Sequence, residues 1–321
     1  MIPTAPTTFE PAGPAAGDIA LLWWVLLAVG TVVFLLVMAL LVATMIRRRV
    51  GGDEDDTDDR AEVPAATSSR WIVGLGVAMP TVLLVGVLAI TVWTARSISG
   101  AAPAGAVHIE VEAYQFWWSA RYVDTGVTVA NEIHIPAGER VELTLTSADV
   151  IHSFWVPELH GKLDMLPDGP NTLVLEADEP GEYLGACAEF CGLQHAKMNF
   201  LVIAQPRAEF DAWLGAQEQP AAEPAGEVAA RGRDVFAAEG CAGCHVIDGG
   251  PVATAGREPG PDLTHVGSRR TLAADTIANT PELMAEWLRD PNEVKEGTTM
   301  PAPELTDDEV ANLVAYLQGL Q

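Results

Sequence analysis

The chain is poor in cysteine and in basic residues. Only four cysteines occur among 321 residues, all in two short clusters, so no thiol is left over. Eighteen lysines and arginines stand against 44 aspartates and glutamates, a formal charge of −26. A surface this acidic would be repelled by nucleic acid, whose affinity for proteins rests on cations at phosphates. It would instead steer a basic soluble protein toward itself, although an acidic exterior also simply maintains solubility. Charge is missing altogether from Ile19 to Ile46 and from Trp71 to Ala95. Each run exceeds the roughly 20 residues that cross about 30 Å of hydrocarbon at 1.5 Å per residue, and both are expected to be transmembrane helices. The absence of any lysine or arginine before Arg47, where Glu10 and Asp18 stand instead, argues against a cleaved signal peptide, which has a basic leader and a shorter apolar stretch.

The arginines set the expected orientation. Arg47, Arg48, Arg49, Arg60 and Arg70 all fall in the short connection between the two runs, which the positive-inside rule places in the cytoplasm. The acidic run Asp53 to Asp59 in the same connection counts little against this and reads as a solvated linker. Residues 1–18 are then an extracytoplasmic segment, 19–98 a transmembrane helical hairpin with cytoplasmic loop 47–70, and the rest an exposed region on the same side as both termini.

In residues 107–205 apolar and polar side chains alternate, as in Val107 to Ala113, Glu132 to Ile135 and Arg140 to Thr146, with Pro136-Ala137-Gly138 as a turn. Short strands with such turns predict an all-β sandwich or Greek-key barrel. Residues 206–226 read as a helix, Pro206 to Gln217, and a linker rich in proline and alanine. Helical patterns follow in residues 227–321, where Thr306 and Glu309 have the spacing of a capping box.

The chemistry lies in the cysteine clusters. In Cys187-Ala-Glu-Phe-Cys191-Gly-Leu-Gln-His195-Ala-Lys-Met198, two thiols precede an imidazole and a thioether, a soft nitrogen and sulfur set that suits copper. His152, on a predicted strand end, is a candidate for a further ligand. A disulfide and a structural zinc site are the rival readings, but neither accounts for Met198, Glu189 and His152 together. Cys241-Ala-Gly-Cys244-His245 has the C-x-x-C-H spacing of covalent c-type haem attachment, with His245 as the axial base. Attachment of that kind needs the extracytoplasmic side, in agreement with the topology. Met300 is the expected distal ligand. Met284, its competitor, lies in the amphipathic stretch Pro281 to Arg289 and reads as core.

These residues resemble subunit II of cytochrome c oxidase of the caa type, in which a cupredoxin-like copper domain is fused to a C-terminal, all-α class I cytochrome c domain. The resemblance covers residues 19 to 321. It implies a dinuclear copper centre, CuA, with Cys187 and Cys191 as bridges, His152 and His195 as terminal ligands, and Met198 and the Glu189 carbonyl as axial ligands. It also implies a magnesium ion shared with subunit I at the Glu189 side chain. Gln115-Phe116-Trp117-Trp118-Ser119 resembles the family's aromatic stretch, and Phe116, Trp117 and Trp118 are the candidates for an electron path, with ordinary core packing as the bland alternative. Gly161 to Pro167 resembles the loop that faces subunit I, and Gly260-Pro261-Asp262-Leu263 the loop that supports the haem-binding histidine. His108, His134, His160 and His265 match no ligand position and read as surface or packing residues.

Two positions depart from the family. Phe116 stands where a tryptophan commonly receives electrons from a cytochrome c, and Val73 where many members carry a glutamate at a proton channel. The implied role is an electron-input subunit of a haem–copper oxidase in the bacterial inner membrane. Its implied partners are subunit I and other oxidase subunits, with cytochrome c or a quinol–cytochrome c reductase as donor. Alternatives are the corresponding subunit of a nitric oxide reductase and a free-standing membrane-anchored electron carrier. Quinol oxidase subunits share the fold but lack the copper ligands.

Overall fold

The computed structural model describes residues 7–50, 69–247 and 260–321. The acidic run 53–59 and Arg60 lie outside the described residues, as do the side chains of Arg48 and Arg49. A helical hairpin, Gly17–Ser99, forms one compact unit, and residues 7–16 together with everything from Gly100 onward form the other.

The hairpin follows from its uninterrupted apolar sequence. Helix α1 (Pro14–Val50) and helix α2 (Met79–Ile98) are each part of a segment long and apolar enough to cross a membrane. Large side chains such as Phe34 and Leu84 stand exposed along them, as expected of surfaces that face lipid. Pro80 has no N–H to give the preceding turn, and Ile72–Ala78 ahead of it is wound as a π-helix. Ser97 donates to the Asp18 carboxylate at 2.6 Å, which brings the start of α1 beside the end of α2 and makes the pair antiparallel.

The alternating segment folds into two five-stranded sheets that share one core. The strands are β1 (His108–Tyr114), β2 (Trp117–Tyr122), β3 (Thr128–Ala130), β4 (Glu132–Pro136), β5 (Val141–Ser147), β6 (His152–Trp155), β7 (Leu163–Met165), β8 (Asn171–Leu175), β9 (Gly181–Cys187) and β10 (Asn199–Gln205). They are ordered β3-β2-β1-β5-β8 and β4-β10-β9-β6-β7, a cupredoxin-like arrangement in which β1 runs parallel to β5 and β10 parallel to β4. Inward positions alternate along β5 and fill the interior with Val141, Leu143 and Leu145. At the centre Trp118, Phe154 and Phe200 pack ring on ring, with centroids 4.6 to 6.1 Å apart. Gly185 keeps β9 close to this cluster, since any Cβ there would run into the Phe200 ring.

Two neighbouring segments extend the barrel. Residues ahead of the first span lie along it: Ala12 donates to the Glu158 carbonyl at 2.7 Å and accepts from Asp178 N–H at 2.8 Å. Gly13 leaves no room for a side chain against the Glu176 and Leu159 carbonyls. Helix α3 (Arg207–Gln217) buries Phe210 in the barrel core and stacks Trp213 on His134 at 3.8 Å, which leaves the residues after Gln217 as the linker. His134 is thereby a packing residue, and burial pulls its pKa down to about 4.

The C-terminal domain is helical. Helix α4 (Gly226–Ala238) crosses helix α6 (Asp307–Gln318), with helix α5 (Pro281–Arg289) packed on α6. Thr306 and Glu309 form the expected capping box, and Thr280 caps α5. The crossing depends on Gly232, where a Cβ would strike the Asn312 backbone. Gly232→Val should therefore cost roughly 1–3 kcal/mol by overpacking. Calorimetry should show the helical domain melting earlier and the barrel transition unmoved.

Candidate metal centres

Strand β9 ends at Cys187, β6 begins at His152, and the loop into β10 carries Cys191, His195 and Met198. This puts side chains from three separate stretches at one end of the barrel core. Cys187, Cys191, Met198 and His152 are all buried. The two sulfurs lie 3.9 Å apart, far beyond a disulfide bond of about 2.05 Å. One ion can touch both, because that separation is less than twice a metal–thiolate bond of about 2.3 Å. Around the sulfur pair the other donors are evenly placed: His152 Nδ1 is 3.8 Å from Cys187, and His195 Nδ1 and Met198 Sδ are each 3.8 Å from Cys191. The Glu189 carbonyl oxygen is 3.2 Å from the Cys187 sulfur. All six residues expected from the sequence are thus gathered, and their donor types fit copper.

The hydrogen bonds support ligation. Asp149 Oδ1 lies 2.7 Å from His152 Nε2, so the carboxylate takes that proton and leaves Nδ1 with its lone pair toward the sulfurs. This support was missed in the sequence; the only signal was a carboxylate three residues before the histidine. Burial works against an imidazolium at His152, yet the hydrogen bonds to Cys187 and Asp149 outweigh it and raise its pKa. The bond between the thiols pulls Cys187 down against the cost of burial, and with burial pushes Cys191 up. Gln115 donates to the Cys191 carbonyl, and Trp118 sets its ring edge-on to His152 at 6.2 Å. The Glu189 side chain is exposed, 3.7 Å from Lys162.

The second cluster faces a cavity of about 240 Å³ lined by Cys241, Cys244, His245, Met284 and Met300. His245 Nδ1 is 2.8 Å from the Pro261 carbonyl, which receives its proton and leaves Nε2 as the free donor atom. Gly260 lies so close that a Cβ would come within 2.6 Å of the imidazole. Two cysteine sulfurs, an oriented imidazole and two thioethers on an apolar cavity fit a covalently held haem. Met284 is 2% exposed within α5, while Met300 lies on an irregular segment at the cavity edge. His160 and His265 are buried and bond the Gly161 and Gln219 carbonyls, and His108 bonds Thr144, as packing residues would.

The cavity wall is completed by Phe116 and Trp117 of the barrel. Phe116 also packs on Gly192 of the thiol loop, where a Cβ would sit 3.2 Å from its ring. One aromatic residue therefore touches the surroundings of both clusters. Trp117 stacks on Tyr114 at 4.5 Å, and Trp118 is fully buried in the barrel.

Two stretches of the chain match known families. Residues 122–205 match the family described as cytochrome c oxidase subunit II, periplasmic domain, and residues 229–321 match cytochrome c. The chain carries a subunit II periplasmic domain followed by a cytochrome c domain. Cytochrome c oxidase subunit 2 of Alkalihalophilus pseudofirmus is 42% identical over 216 residues, which cover 67% of this chain and 61% of that protein. Cytochrome c oxidase subunit 2 of Bacillus subtilis is 33% identical over 224 residues, covering 67% and 63%. The chain thus spans about three-fifths of the length of the curated relatives it matches. Among solved structures, the periplasmic domain of subunit II of cytochrome oxidase of Bradyrhizobium japonicum is 26% identical, covers 37% of this chain and 97% of that one, and gives a TM-score of 0.35.

Two experiments follow from the geometry. Asp149→Asn should keep the shape but lose the carboxylate behind His152, weakening copper binding about 10- to 100-fold in a titration followed by absorption. Met300→Ala should abolish the sulfur-to-iron absorption band of the cytochrome c domain and lower its potential, whereas Met284→Ala should leave the band and cost about 2–5 kcal/mol of stability.

Proposed function

We propose that this chain is the electron-input subunit of a haem–copper terminal oxidase of the caa type. When bound, haem c and the dinuclear CuA centre supply reversible one-electron chemistry that relays electrons from a donor to subunit I, where dioxygen is reduced to water and protons are translocated. The observation that carries this reading is the shared wall: Phe116 lines the same cavity as His245 and packs on the loop that holds Cys191.

The chain's own residues do four things. Cys241, Cys244, His245 and Met300, which line one cavity, would hold the haem, with His245 oriented by the Pro261 carbonyl. Cys187, Cys191, His152, His195, Met198 and the Glu189 carbonyl would hold the copper. The buried barrel end holds those donors stiffly, which limits their movement when the charge of the site changes. Phe116, with Trp117 and Trp118 behind it, fills the space between the clusters with aromatic contacts, so the replacement of the usual tryptophan leaves a route from the tethered domain.

By resemblance, Glu189 would share a magnesium ion with subunit I. The two apolar helices anchor the chain in the bacterial inner membrane as a two-pass protein, with the connection 47–70 cytoplasmic and both redox domains outside. Partners are subunit I and the other oxidase subunits. A cytochrome c or a quinol–cytochrome c reductase would be steered to the acidic surface. Truncation after Gln217 should keep copper and its absorption yet lose most oxygen uptake with the native donor, as read in an oxygen electrode. Full turnover by the truncated enzyme at low donor concentration would overturn the serial order.

A further inference from the structure

Between the two domains lie buried charged groups that neither metal cluster uses. Lys295, just after α5, is 2% exposed, a burial that a lysine tolerates only with partners. Its ammonium group donates to the Phe116 carbonyl of the barrel at 3.0 Å and to the Ala273 carbonyl of the helical domain at 2.9 Å. Glu132 of β4, 6% exposed, projects the opposite way. Its Oε1 accepts the backbone N–H groups of Arg270 at 2.7 Å and Thr271 at 3.1 Å. Around them Arg270 pairs with Glu182, Gln194 donates to the Glu296 carbonyl, and Lys197 reaches the Val294 carbonyl at 3.4 Å. Each domain thus inserts one buried charge into backbone groups of the other. Gly297 fits against Leu193 of the thiol loop with no space for a Cβ.

We propose that Lys295 is a positioning residue that pins the helical domain to the barrel in one orientation, with Phe116 held as part of the haem cavity wall. The inference deepens the reading above and rests on it for its consequence, that electrons cross a seated interface and not one formed anew by a swinging domain. Lys295 suits the task because its bond to Phe116 is to backbone, which fixes that residue's position without altering its ring. The carbonyl of Ala273 aims the ammonium group from the other side. Residues Ala273, Ala274 and Asp275 all have positive φ, between 55° and 58°, a conformation that turns the chain sharply beside the ammonium group.

The test uses the full chain loaded with haem and copper in detergent. Hydrogen exchange is followed at the Arg270 and Thr271 amides, which Glu132 covers only when the domains are seated. Lys295→Met should speed exchange there at least tenfold while the α6 amides from Val310 to Leu317 keep their protection. Lys295→Arg, which restores a donor, should return exchange to within about threefold of the parent. The Met variant should also slow electron passage from the rapidly reduced helical domain to the barrel at least tenfold, with both absorption spectra intact. Unchanged exchange in Lys295→Met would overturn the proposal. So would loss of haem or of α6 protection in that variant, since Lys295 would then serve the fold of its own domain. The ratio of variant to parent exchange tests the pin, whereas the absence of any passage in the parent chain would sink the serial order itself.

Discussion

Two sulfur atoms held 3.9 Å apart at the end of a packed barrel are the constraint on which the rest of the molecule turns. Neither cysteine could hold this position alone. Cys187 is the last residue of β9, in register with Phe154 of β6, and its own N–H is bonded to the Met198 carbonyl at 3.0 Å. Cys191 is placed by a loop that the Phe116 ring and the Gln115 amide grip from the first sheet. The donors therefore inherit the rigidity of the aromatic core behind them, where interiors are packed to crystal density and cannot yield smoothly. Electron transfer benefits from such stiffness, because less of the surroundings must rearrange when charge changes.

The same loop serves the second domain. Gly192 and Leu193, immediately after Cys191, meet Phe116 and Gly297 respectively, so the surface that holds one site is the floor on which the other rests. This explains why both domains belong to one compact unit despite the linker that joins them. Lys295 and Glu132 each meet two backbone partners at the contact, as required where an unpaired buried charge would cost several kcal/mol.

What the sequence revealed and what it hid divide along sequence distance. The thiol and haem motifs, the capping box at Thr306 and the helix from Pro281 to Arg289 are local patterns, and each was legible because its physics acts within a few residues. His152 was a candidate from its predicted strand end and became a terminal ligand only through resemblance, since nothing local tells a ligand histidine from a packed one such as His134. Asp149 was overlooked because a carboxylate near a histidine is common. Glu132 and Lys295 could not have been found: their partners in the other domain lie 138 to 179 residues away, and on paper they are ordinary surface charges. The seating of residues 7–16 against Glu158 and Asp178 was hidden for the same reason.

The linker after Gln217 suggests a mobile tether, whereas the contacts describe a seated domain, and simple arithmetic reconciles the two. A short flexible linker supplies an effective concentration of about 1 mM. An interface that would bind with a Kd of only about 10 μM between separate proteins would then be closed about 99% of the time. The buried charges need not be strongly attractive to reach that affinity, because each regains water when the domains part and so contributes only a modest net free energy. Their greater effect is on orientation: a lysine that must meet two carbonyls and a carboxylate that must meet two amides admit few alternative poses. The tether thus supplies the population and the buried pins supply the geometry, and the Phe116 contact depends on both.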